Sequence, residues 1–126
     1  MKQAKSILII SHHKVLQETR THILRHAGHQ VYPARDYREA MLQLQDPAPL
    51  DLVLICHSVP PADLHHLVDR IRVLRPALPI LLFCNGFHSH EVVVDGYLQS
   101  LDSPDMILEL VGNVTRAETL RLSRSA

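Results

Sequence analysis

The stretch DLVLICHSVPP, residues 51–61, decides the fold. Behind Asp51 lies a short apolar run of leucine and β-branched side chains that ends in Cys56 and His57. An apolar run without polar alternation reads as a strand, Asp51 to Cys56, buried on both faces. Pro60 and Pro61 stop it, and Leu64, Leu67, Val68, Ile71 and Leu74 then recur at helical spacing. A strand of that kind followed by an amphipathic helix is one βα unit of a parallel sheet. It also carries Cys56 to the strand's carboxyl end.

The alternation repeats outward in both directions. Ser6 to Ile10 reads as a first strand, and Lys14 to Ala27 as a helix with Leu16, Ile23, Leu24 and Ala27 inward and Gly28 as its terminator. Gln30 to Ala34 is a second strand. Asp36 and Glu39 resemble a capping box ahead of a stripe of Tyr37, Ala40, Met41 and Leu44. Pro76 and Pro79 precede a fourth strand, Ile80 to Cys84, and Gly96 to Gln99 is a fifth. Ser103 and Pro104 open a last helix with Ile107, Leu110, Val111 and Val114 facing the core. Val92-Val93-Val94 is a poor helix interior. The expected fold is α/β: a five-stranded parallel sheet with helices on both faces. Residues 1–126 are expected to form a single domain, with its core over about 5–115 and a helix extension or tail over 116–126.

Composition narrows the function. The 13 basic and 13 acidic residues balance and no basic block stands out, so no nucleic-acid surface is expected. No run approaches the roughly 20 apolar residues of a membrane span. The four-residue apolar run after the basic start is too short for a secretory signal, which predicts a cytoplasmic protein whose two cysteines are free thiols. Ten histidines are unusual for this length. His22, His26 and His29 at helical spacing, and the pair His65-His66, read as solvated surface.

In parallel α/β sheets chemistry sits beyond the carboxyl ends of the strands. Those ends carry Ser11, His12 and His13; Cys56 and His57; Cys84 and Asn85; and Ser100.

ILII in the first strand, DLVLI with Pro60 shortly after it, PILLF and GYL together resemble the receiver domain of bacterial response regulators, over about residues 5–115. The resemblance implies the flavodoxin-like strand order 2-1-3-4-5. It also implies where the phosphorylation machinery would stand, and every such position is substituted. Ser11 and His12 stand where two acids hold magnesium, Cys56 at the phosphoryl-accepting aspartate, Cys84 at the threonine, Ser100 at the lysine and Leu101 at the proline after it. Tyr97 takes the place of the switch aromatic. Cys84 and Ser100 are closer together than in the family, so the fourth helix is expected to be short or absent.

Magnesium prefers hard oxygen ligands, and phosphoryl transfer relies on metal and lysine charge. The expectation is therefore a non-enzymatic pseudo-receiver without magnesium or other cofactor. It would act by binding another signalling protein or a second copy of itself. Only TRAETLRLSRSA follows the last helix, so output is expected to pass through that partner. The alternative is a zinc, copper or thiol sensor using His12, Cys56, Cys84 and His88, residue types that suit soft metals. Against it, both cysteines serve equally as small apolar fillers, and no acid is placed to orient a histidine against Cys56.

Overall fold

The computed structural model describes residues 4–46, 49–56, 59, 61–84, 94–99 and 104–113. The elements run β1 (Ser6–Ile10), α1 (Lys14–His26), β2 (Gln30–Ala34), α2 (Tyr37–Gln45), β3 (Leu52–Ile55), α3 (Pro61–Leu74), β4 (Ile80–Cys84), β5 (Gly96–Gln99) and α4 (Pro104–Asn113). The five strands form one parallel sheet in the order β2-β1-β3-β4-β5, as expected. The expected short or missing helix between β4 and β5 falls on residues 85–93, outside the described residues, as do Ser103, Val114 and the 116–126 tail.

Alternation along the strands divides the core into two layers. Leu8, Ile10, Val53, Ile55, Ile80 and Leu82 face α2 and α3, meeting Met41, Leu44, Leu67, Val68 and Ile71. Ile7, Ile9, Leu52, Leu54, Cys56, Leu81 and Phe83 form the opposite layer with Leu24 of α1 and Ile107 and Val111 of α4. Burial of β3 on both faces explains its uniformly apolar sequence. Cys56 thus continues the Leu52–Leu54 side, toward α1.

Local signals set the boundaries. Asp36 caps α2 by accepting the Glu39 N–H at 2.8 Å, and the Glu39 carboxylate accepts the Arg35 N–H at 2.8 Å, a variant of the expected box. Arg75, just beyond α3, covers the other end of α2 by donating to the carbonyls of Leu44 and Asp46. α1 ends at His26, and Gly28 turns the chain with φ of 99°, a conformation other residues adopt at a cost. Gly96 lies against Leu81, whose Cδ2 would stand 2.8 Å from an added Cβ.

The carbonyl of Ala34 and the N–H of Gln30 bond to Ser11 and Lys5, which flank β1, so by ladder parity Val31 and Pro33 turn their backbone outward on the edge strand. Arg25 donates to the Val31 carbonyl at 2.8 Å and Pro33 has no N–H to offer. Both features disfavour strand addition at this edge.

One expectation about α1 is corrected. Its buried residues are Gln17, Arg20, Thr21 and Leu24; Leu16 and Ile23 are half-buried and Ala27 is exposed. The spacing i, i+3, i+4, i+7 is a complete helical face, but three of its four members are polar. His29 is also corrected. It lies beyond α1, is buried, and accepts the Lys5 N–H on Nδ1 at 3.0 Å, whereas His22 and His26 are exposed as expected.

Candidate functional site

The carboxyl rim of β1 and β3 is built from backbone register upward. Ile10 pairs with Ile55, the Cys56 N–H donates to the Ile10 carbonyl at 2.8 Å, and Ser11 and Cys56 therefore stand side by side. Both are fully buried. The Ser11 hydroxyl donates to the His13 carbonyl at 3.2 Å and accepts the His13 N–H at 3.1 Å. This turn sets His13 as the cap of α1, with its Nδ1 accepting the Leu16 N–H at 3.2 Å. His12 is exposed at the same turn. Gln17 fastens the rim from α1, its amide donating to the carbonyls of Ile9 at 3.1 Å and Ala34 at 2.7 Å.

Arg20 projects from α1 into this rim and is only 5% exposed. Its guanidinium donates to Cys56 Sγ at 3.2 Å and lies 3.9 Å above the centre of the Phe83 ring. Among the described residues no carboxylate pairs with it. A buried guanidinium without a counter-charge costs several kcal/mol in principle, and stacking on a desolvated aromatic face recovers about 2. Thr21, next in the helix, has a buried hydroxyl with no hydrogen-bond partner among the described residues.

Burial pushes the Cys56 thiol above its ordinary 9.0; the Arg20 charge and the hydrogen bonds of Ser11 and Arg20 pull the other way without prevailing. The thiol is therefore neutral at physiological pH. The unfolded thiol ionises near 9.0, the folded one later, so unfolding releases a proton above that pH. Stability from this group is complete below 9.0 and falls as pH rises toward the folded value, by at most about 1.4 kcal/mol per unit. Urea titrations of wild type and Cys56→Ala at about pH 8 and about pH 10 check this: wild type is expected to lose more stability between the two. Equal losses would show that the thiol ionises as freely in the folded protein.

The remaining rim positions are placed unevenly. Ile55 pairs with Leu82, which puts Phe83 level with Cys56 and the Cys84 backbone one residue beyond it. Tyr97 pairs with Leu82 across β5, and Cys84 with Gln99. The side chains of Cys84 and Tyr97, and all of His57, Asn85, His88 and Ser100, lie outside the described residues. The structure thus brings Ser11 and Cys56 together, with His12 beside them. Among the described residues no three His, Cys, Asp or Glu side chains form a metal cluster. Arg20, Gln17 and Phe83 were missed by sequence reasoning; the 17-20-21-24 spacing could have exposed the first two.

Comparison with solved structures places this geometry. The chain is similar to a response regulator receiver domain protein of Methanospirillum hungatei JF-1, with 21% identity, 98% of each chain covered and a TM-score of 0.76. It is similar to the chemotaxis protein CheY4 of Vibrio cholerae, with 23% identity over 90% of this chain and 100% of that one, TM-score 0.77. The receiver domain of the sensor histidine kinase PA1611 of Pseudomonas aeruginosa PAO1, holding magnesium in its active-site cleft, gives 17% identity, 86% and 95% coverage and a TM-score of 0.75. No protein-family model and no curated protein matches the sequence. Strand order, the two-layer core and near end-to-end superposition agree: this chain is built on the receiver fold of the response regulators.

Proposed function

We propose that this protein is a phosphorylation-independent pseudo-receiver, a non-enzymatic cytoplasmic module of bacterial two-component signalling that works by binding another signalling protein or a second copy of itself. The observation that carries the reading is the Arg20–Cys56–Phe83 stack. The side chain at the accepting position is a neutral thiol, buried against a guanidinium, and a thiol cannot form an acyl phosphate. A magnesium ion would find a serine hydroxyl engaged with His13, an imidazole and a thiol, a donor set that does not suit a hard cation. The fixed positive charge of Arg20 beside Cys56 further opposes a divalent cation there. The absence of any described helix long and apolar enough to cross a membrane is compatible with the location.

The same stack weighs against the sensor reading at His12, Cys56, Cys84 and His88. A soft metal needs the thiolate, and both burial of Cys56 and the adjacent Arg20 charge oppose a metal cation there.

Incubation with acetyl phosphate and excess magnesium, followed by intact mass spectrometry under mild conditions, tests the reading. The mass is expected to stay unchanged. Gain of one phosphoryl group, lost again on treatment with hydroxylamine, would sink it.

A further inference from the structure

We infer that His22 and His26 form a two-imidazole site on the outer surface of α1 for a borderline divalent cation such as copper, nickel or zinc. The two residues are four apart on one helix, so their side chains stand one above the other. Their rings are stacked, with centroids 6.3 Å apart and planes inclined by 25°. Both are exposed, and each ring meets the other. Metal–nitrogen bonds of about 2.0–2.1 Å at a tetrahedral angle require centroids about 5 Å apart. Closing that gap takes rotation of two solvated side chains until one nitrogen of each ring faces the ion.

Glu18, a further turn toward the start of α1, continues the same stripe and lies with His22 on a groove of about 490 Å³ that Glu39, Lys14, Arg25 and Arg35 also line. Arg25, the nearest cation in sequence, has its guanidinium drawn off to the Val31 carbonyl at 2.8 Å. The other described histidines are engaged or badly spaced. His13 caps α1, His29 is buried on the Lys5 N–H, and His66 stacks on Tyr37 at 4.8 Å. His12 stands in the turn ahead of α1 beside the engaged His13, and His65-His66 are sequence neighbours on α3, where such neighbours do not face each other. No third protein ligand is in place among the described residues, so water completes the shell.

The site also bears on the rim. A metal clamped across one turn stabilises α1, the helix that delivers Arg20 to Cys56.

The test is titration of the full, untagged chain with nickel chloride, followed by histidine-ring NMR signals and calorimetry. The His22 and His26 signals are expected to broaden first. His22→Gln or His26→Gln is expected to weaken binding by at least about tenfold, as ligand-sphere losses do, and Glu18→Gln by less. Saturating metal is expected to raise the melting temperature of wild type and not that of the double variant. Both histidines are exposed, so circular dichroism should show the variants folded. An isotherm unchanged in His22→Gln/His26→Gln, or first broadening at another histidine, would overturn the inference.

Discussion

Cys56→Asp is expected to fold with a stability within about 1 kcal/mol of wild type, whereas Cys56→Asp with Arg20→Met is expected to lose about 3–5 kcal/mol. Arg20 lies 3.2 Å from Cys56 Sγ and has no carboxylate partner among the described residues. An aspartate there meets a guanidinium already in place, so its desolvation is offset by charge and a charge-assisted hydrogen bond. Remove the guanidinium, and the same aspartate is a buried, uncompensated acid. Arg20→Met alone is expected to be nearly neutral, because a flexible apolar chain of similar length fills the space and no buried charge remains. Urea denaturation of the four proteins closes the cycle. A coupling of about 2 kcal/mol or more is predicted; additivity within about 0.5 would mean that Arg20 does not sense the charge at position 56. Restoring the aspartate is not expected to restore phosphoryl uptake, since Arg20 takes the carboxylate and Ser11 and His12 supply no acid for magnesium.

Phe83→Ala is expected to lose about 3–5 kcal/mol, the range for deleting a buried aromatic ring. Phe83 is fully buried in the layer between sheet, α1 and α4, and it is also the platform beneath Arg20. Phe83→Leu keeps most of the volume and is expected to lose less, mainly the cation–ring attraction of about 1–2 kcal/mol. The two roles separate in the Arg20→Met background, where the cation contribution is absent and the cost of Phe83→Leu should fall accordingly. Equal costs in both backgrounds would make Phe83 a packing residue alone.

The sheet was legible because its central strands are buried on both faces. Leu52–Ile55 and Ile80–Cys84 have no polar alternation, and the helices between them carry clear stripes, such as Leu67, Val68 and Ile71 on α3. Ends were legible where side chains cap them, as Asp36 does for α2, or where a backbone conformation demands it, as at Gly28. α1 was misread for the same reason that it matters. Periodicity searches for apolar residues, and the buried face of α1 is Gln17, Arg20 and Thr21, side chains that reach the rim. The positions Ser11 and Cys56 could be found from strand ends alone. Their engagement could not, because Arg20 lies thirty-six residues from Cys56 and meets it only once α1 packs on the Cys56 face of the sheet. Nor does the composition of a helix reveal that His29 has left it and turned inward, which follows from the Gly28 turn and the Lys5 N–H waiting on β1's side.

If the Arg20–Cys56 contact stands in place of phosphoryl chemistry, as proposed, a phosphoryl mimic finds no site on the chain. The most direct measurement is a pair of ¹H–¹⁵N correlation spectra of the full chain, without and with magnesium and beryllofluoride, a stable mimic of the acyl phosphate. Superimposable spectra are expected, with the amides of Ser11, Cys56, Phe83 and Tyr97 unmoved. Saturable shifts at those amides, abolished by omitting either magnesium or beryllofluoride, would contradict it.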